Sequence, residues 1–240
     1  HVPRWHREIV MAVQISAAAA ATRGRFITFE GGEGSGKSTQ IGRLAERLDA
    51  EGVRVIVTRE PGGSPGAEII RHVLLAGVGK TLGAEAETLL FSAARDDHVR
   101  TVIEPALAQN IWVLCDRFAD STRVYQGHAG KVDPRLLDAM ERVTIGSLKP
   151  DLTFILDVPV EVGMQRAASR RGADTPDRFE AENVDFHRRL RDGYLAIARH
   201  EPERCVLIDA TEAPENVADR IWSALMHRRL VGRQPEAQRT

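Results

Sequence analysis

Five short apolar runs punctuate this 240-residue chain, at 25–30, 53–58, 111–116, 152–157 and 205–209. Each is rich in β-branched or aromatic residues and close to a strand's usual length. Ile111-Trp112-Val113-Leu114-Cys115 and Leu152-Thr153-Phe154-Ile155-Leu156 are almost continuously apolar and are closed by Asp116 and Asp157. That pattern predicts strands buried on both faces. Between the runs the apolar period lengthens. Ile41, Leu44, Ala45 and Leu48 recur at helical spacing over 40–48. Further helices are expected to end near 75 and to cover 84–109 (with Pro105 kinking or ending it), 121–126, 134–147, 160–170, 181–200 and 214–228. Strands alternating with helices imply an α/β three-layer sandwich, a five-stranded parallel sheet with helices on both faces. Ligands of such a sheet gather beyond the carboxyl ends of its strands.

There are no internal repeats and no linker, so 23–230 reads as one domain, with a segment at about 168–180 rich in charge, Gly and Pro. Residues 231–240 read as a flexible tail. At the start, Arg4 and Arg7 precede an apolar stretch ending in small residues, as in a signal peptide, but Glu8, Gln14 and Ser16 interrupt it. The expectation is a disordered tail over 1–22, with Met11 placed to be a natural start. No apolar run approaches the ~20 residues that span a bilayer. The formal net charge of −1 argues against bulk affinity for nucleic acid or anionic membrane. Cys115 and Cys205 sit in apolar runs far apart, which predicts buried thiols in a reducing, cytoplasmic compartment and no disulfide or metal pair.

The chemistry begins after the first run. Gly31-Gly32-Glu33-Gly34-Ser35-Gly36-Lys37-Ser38 has the spacing of a phosphate-binding loop, and Thr39 follows it into the first helix. Glycines let successive N–H groups turn inward as an anion nest. Lys37 places a point charge against the outer phosphates, the Ser38 hydroxyl is suited to Mg²⁺, and the helix dipole points its positive end the same way. Strand, loop and helix together make this a P-loop NTPase-type fold. Lysine is scarce, occurring only at 37, 80, 131 and 149, and none of the four lies in a guanine-reading Asn/Thr-Lys-x-Asp, which excludes a GTPase switch. Nor is there a metal cluster, a paired catalytic carboxylate or a Ser-His-Asp set.

Four motifs follow in order: the loop with its preceding Phe26 and Glu30, Arg59-Glu60-Pro61-Gly62-Gly63, Leu90-Phe91 with Arg95, and Asp116-Arg117-Phe118 with Ser121, Thr122, Tyr125, Gln126 and Gly127. In this the chain resembles the bacterial thymidylate kinases, over roughly 25–230. The resemblance implies transfer of the γ-phosphoryl of ATP, with Mg²⁺, to dTMP, and a homodimer formed through helices. It implies that Glu33 approaches the sugar 3′-hydroxyl, Arg59 the dTMP phosphate, Phe91 the thymine face and Arg95 a base oxygen. Thr122 and Gln126 would contact the nucleoside, and Tyr125 would crowd the 2′ position. Asp116, after the most apolar strand, is placed to hold Mg²⁺ or its waters, and Arg117 to clamp the monophosphate with its planar fork. Phe118 stands where a tyrosine or histidine is common. Gly34 stands where some members carry an arginine, and members without it use lid arginines, here drawn from Arg166, Arg170, Arg171 and Arg178, with Arg170 and Arg171 expected to be catalytic. Asp157 reads as a structural strand end and Thr211 as a main-chain contact on the adenine side. The competing readings are another small-molecule kinase on the same scaffold, or a nucleotide-binding module without turnover.

Overall fold

A computed structural model describes residues 23–77, 81–172, 178–228 and 230. The expected tails, 1–22 and 231–240, and 173–177 within the expected lid lie outside the described residues. Five parallel strands form one sheet: β1 (Phe26–Glu30), β2 (Val55–Arg59), β3 (Trp112–Asp116), β4 (Leu152–Asp157) and β5 (Cys205–Asp209), in the order β2-β3-β1-β4-β5. All five expected strands are present. β2 is shifted along the chain, so that Arg59 closes it and pairs with Asp116.

Period-two alternation divides the core. Ile27 and Phe29 of β1 pack with Ile41, Leu44 and Leu48 on one face of the sheet, while Phe26 packs with Val113, Cys115 and Ile103 on the other. The first group lies on α1 (Lys37–Ala50), and α9 (Pro214–His227) joins it through Val217, Ile221 and Leu225. A third cluster joins Val124, Tyr125, Ile155, Leu190 and Tyr194.

Between these elements lie α2 (Pro65–Leu75), α3 (Ala84–His98), α4 (Glu104–Ala108), α5 (Ala119–Thr122), α6 (Pro134–Thr144), α7 (Val160–Arg171) and α8 (Val184–His200). Pro105 does not end its helix, which continues to Ala108. The irregularity is a π-helical turn, Val99–Ile103, just ahead of it, and Pro105 falls in the first turn of α4, where a missing N–H costs least. The helix expected at 121–126 is instead a single α turn followed by a π-helical segment, Arg123–Ala129. α8 begins three residues later than the apolar pattern suggested, because the Asn183 side chain caps it by accepting from the Phe186 N–H.

Because the strands run parallel, Glu30, Arg59, Asp116, Asp157 and Asp209 all close strands on one edge of the sheet. The phosphate loop leaves from the central member of that row.

Candidate active site

The loop is pressed against α7. A Cβ on Gly34 would come within 2.0 Å of the Gly163 carbonyl, and Gly34 has a left-handed φ of 65°. In this arrangement any side chain at this position would push the two backbones apart. The Lys37 ammonium donates to the Gly32 carbonyl at 3.1 Å and the Gly31 carbonyl at 3.2 Å. Burial lowers the Lys37 pKa, and nearby Arg117 lowers it further, against the opposing charges of Asp116, Glu33 and Glu30. The Ser38 hydroxyl donates to the Asp116 carboxylate at 2.9 Å. One hydroxyl and one carboxylate converging from loop and strand fit Mg²⁺, which takes few protein oxygens and fills its shell with phosphates and water.

Arg117 follows β3 with φ of 72°, its N–H bonded to the Phe29 carbonyl at 2.9 Å. This turn returns the guanidinium to the phosphate loop. Nη1 donates to the Gly31 carbonyl at 3.1 Å and to the Tyr194 hydroxyl at 3.0 Å, and Nη2 to Glu33 at 2.8 Å. One carbonyl, that of Gly31, therefore receives both Lys37 and Arg117. The Tyr125 hydroxyl also donates to Glu33, at 3.2 Å. Burial alone would raise the Glu33 carboxyl, but Arg117, Lys37 and the Tyr125 bond together bring it down to about 2. Only three residues earlier, Glu30 behaves in the opposite way. It is fully enclosed and accepts from the Phe118 N–H at 2.8 Å, Ser121 at 2.7 Å and the Tyr194 hydroxyl at 3.0 Å. Burial and the Asp120 charge push it up to about 7, against Arg117 and the hydrogen bonds.

A cavity of about 480 Å³ runs from Lys37, Ser38 and Asp116 past Arg117 to Phe91, Arg95 and Tyr125. Thr122, Gln126 and Arg59 also line it. Gly31 and Gly32 instead line a small cleft on the other side of the loop. Arg95 is buried, with Nε on Glu60 at 2.7 Å and Nη2 on Thr122 at 2.9 Å and on the Phe118 carbonyl at 3.2 Å. Gln126 donates to Glu87 at 3.2 Å. Phe91 lies 6.1 Å from Phe179, whose ring is 5.4 Å from that of Tyr125, so this end of the cavity is walled by aromatic rings.

Some expectations shift. Arg59, expected on the dTMP phosphate, pairs with Glu68 at 3.0 Å, while its neighbour Glu60 turns inward to Arg95. Arg166 is drawn off the expected lid set, donating to the Ala210 and Thr211 carbonyls and so occupying the Thr211 main chain. Arg170 lines the cavity and Arg171 does not; both pair with Glu180, at 3.3 and 2.8 Å. Arg178 pairs with Glu87. Phe118 is buried edge-on against Phe26, so its ring serves the core. Asp157 is held by both arms of Arg191, consistent with a structural role. Glu30, Glu60, Tyr194, Phe179 and Glu180 were not predicted. The first two had a signal, an acid where an apolar strand ends or just after it; Phe179 and Glu180 fall at the end of the expected lid segment, and Tyr194 had none.

The parallel sheet, the loop and the cations converging beyond its central strand define a P-loop NTPase fold. The thymidylate kinase family model matches residues 29–221. A thymidylate kinase of Nitrobacter winogradskyi is 72% identical over 217 residues, covering 90% of this chain and 94% of the relative. One of Bradyrhizobium diazoefficiens is 71% identical over 208 residues, 87% of this chain and 91% of that one. The crystal structure of thymidylate kinase from Ehrlichia chaffeensis superposes with a TM-score of 0.69 at 35% identity, over 85% of this chain and 99% of that chain. The chain belongs to the thymidylate kinase family.

Proposed function

We propose that the cavity seats ATP and dTMP end to end, with the residues below in the named roles. As a family member the chain is an ATP-dependent dTMP kinase, forming dTDP on the way to dTTP. The observation that carries the site reading is the shared Gly31 carbonyl: lying behind the loop, it ties the cation of the donor loop to the cation of the acceptor side, so that both stand together on the cavity wall.

The acceptor oxygen of a nucleoside monophosphate is already anionic, so the site needs positioning and positive charge, not a general base. The amides of residues 32–38 and Lys37 hold the donor phosphates. Ser38 and Asp116 would hold Mg²⁺, which when bound would neutralise phosphate charge. Arg117 exchanges its contacts on Gly31 and Glu33 for the acceptor phosphate. Glu33, ionised at neutral pH, accepts from the sugar 3′-hydroxyl. Tyr125 fills the 2′ side, Phe91 stacks on the base, Arg95 donates to a base oxygen, and Thr122 and Gln126 complete the nucleoside site. Arg59 reaches the monophosphate from the exposed strand end. Arg170, with Arg171, leaves Glu180 for the transferring group as the lid closes and excludes water.

A homodimer and a cytoplasmic location complete the reading. Ile69 and Val73, one turn apart on α2, and Val57 on the edge strand β2 are exposed apolar residues that a second copy would cover. Both cysteines are free and buried. A single-protomer mass by light scattering would refute the dimer.

A coupled ADP-release assay over dTMP, dCMP, dGMP and UMP tests the function. dTMP turnover far above the others is expected, with Lys37→Ala reducing it about 10³-fold. Equal rates across the panel would remove the assignment.

A further inference from the structure

The Arg59-Glu60-Pro61-Gly62-Gly63 segment is only partly used by the roles above, since Glu60 and both glycines contact neither phosphate nor base in that reading. We infer that Glu60, backed by His98 and Thr58, is a positioning residue for Arg95 and sets the base preference of the acceptor site. This rests on the reading of Arg95 as the base-contacting arginine.

Arg95 carries five N–H donors and no acceptor. Nε is committed to Glu60, and Nη2 to Thr122 and the Phe118 carbonyl. Among the described residues Nη1 takes no partner, and Arg95 lines the cavity. What remains for a ligand is therefore a pure donor at a fixed place. It suits a pyrimidine presenting a carbonyl there, as in dTMP. It opposes one presenting an exocyclic amine, as in dCMP, because two donors would face each other without an acceptor. This discrimination holds only if the guanidinium cannot swing away.

Glu60 fixes it. Its second oxygen faces His98 Nδ1 at 3.0 Å, and His98 Nε2 meets the Thr58 hydroxyl at 2.7 Å. His98 is fully enclosed and lies three residues after Arg95, on the same face of α3. With Nδ1 donating to the carboxylate, a neutral ring accepts from Thr58 at Nε2, so each polar group in the chain from Thr58 to Arg95 is satisfied. Gly63 closes over this chain. A Cβ there would lie 2.3 Å from the Thr58 hydroxyl and 2.6 Å from His98 Nε2. The next residue, Ser64, donates to Asp97 at 2.7 Å, and the Ala67 N–H donates to the same oxygen at 3.2 Å. The loop thus grips the turn of α3 that carries Arg95 from several sides.

The test is steady-state kinetics on the full chain at saturating ATP, comparing Glu60→Gln, Thr58→Val and Arg95→Gln. Glu60→Gln keeps the shape and replaces a charge-assisted bond with a weaker neutral one. It is expected to raise the dTMP KM about tenfold and to narrow the dTMP to dCMP ratio of kcat/KM by a similar factor, with the ATP KM within about twofold. Thr58→Val, which keeps the β-branched shape, should shift both in the same direction by roughly two- to threefold. If both variants retain the wild-type dTMP KM and ratio, or if the ATP and dTMP KM values rise together, the positioning role is wrong. Should Glu60→Gln fail to fold, the Thr58→Val ratio decides. An unchanged dTMP KM in Arg95→Gln would sink the base-contact reading itself, whereas a large Arg95→Gln effect beside silent Glu60→Gln and Thr58→Val would sink only the positioning inference.

Discussion

The donor wall and the acceptor wall of the cavity are built by different means. The donor wall is nearly continuous in sequence, a loop of backbone amides with one lysine, resting on the glycines of its own turn and of α7. The acceptor wall is made of long side chains from separate elements, Arg95 from α3 and Arg117 from the end of β3, each held by a buried layer behind it. Backbone amides are positioned by the fold that makes them. A guanidinium on a flexible stem has to be positioned by other side chains, and these can lie anywhere in the chain.

The difference is most exposed by conservative substitutions. On the acceptor wall, Arg117→Lys keeps the charge but removes the fork that serves Gly31, Tyr194 and Glu33 from two nitrogens. Turnover is expected to fall about 100-fold. On the donor wall, Ser38→Thr keeps the hydroxyl that meets Asp116 and should cost less than about threefold. Equal losses in kcat would erase the contrast.

The same division explains what could be read from the sequence. The strands and the loop were legible because two-sided burial and a fixed glycine spacing are local patterns. Arg117 was legible from its motif, but not the partners that hold it: Tyr194 bonds to Glu30 across 164 positions, and no local pattern marks that tyrosine. The lid arginines were unreadable for a compositional reason. In a chain with so many arginines a cluster carries little information, and only the geometry separates Arg170, lining the cavity, from Arg166, tied to the loop after β5. Pro105 does not end its helix because it falls in the first turn after a widened segment, where a missing N–H costs least.

Two carboxylates three residues apart, one closing β1 and one in the loop, sharpen the comparison through pH. Glu30 belongs to the supporting layer and its pKa is raised to about 7 from an ordinary 4.5. Its contribution to stability is full below pH 4.5 and is lost as pH rises through 7. Glu33 faces the cavity and its pKa is lowered to about 2, so its contribution is present above 4.5 and lost only as pH falls through 2. Of these two carboxyls, Glu30 is the one that changes charge between pH 5 and 7.5. Calorimetric unfolding over that window should therefore show wild type losing about 2 kcal/mol relative to Glu30→Gln, while Glu33→Gln runs parallel to wild type. Parallel lines for Glu30→Gln would mean that its carboxyl is not shifted by burial.

The smallest expected effect addresses whether the supporting layer acts on the reaction or only on the fold. The Tyr194 hydroxyl receives from Arg117 and donates to Glu30, so it joins the acceptor clamp to the buried carboxyl. Tyr194→Phe removes one oxygen from a ring that is otherwise packed with Leu190, Ile155 and Val124. The ring and its burial remain, and the loss is about 1 kcal/mol of hydrogen bonding. If the hydroxyl only supports packing, that loss appears in unfolding and leaves turnover unchanged. If it holds Arg117 in line, kcat should fall about fivefold with the ATP KM unchanged, and the Arg117→Lys background should abolish the effect, since lysine has no fork left to misplace. A double-mutant cycle in kcat distinguishes the two: additive losses assign Tyr194 to the core, and non-additive losses assign it to the clamp.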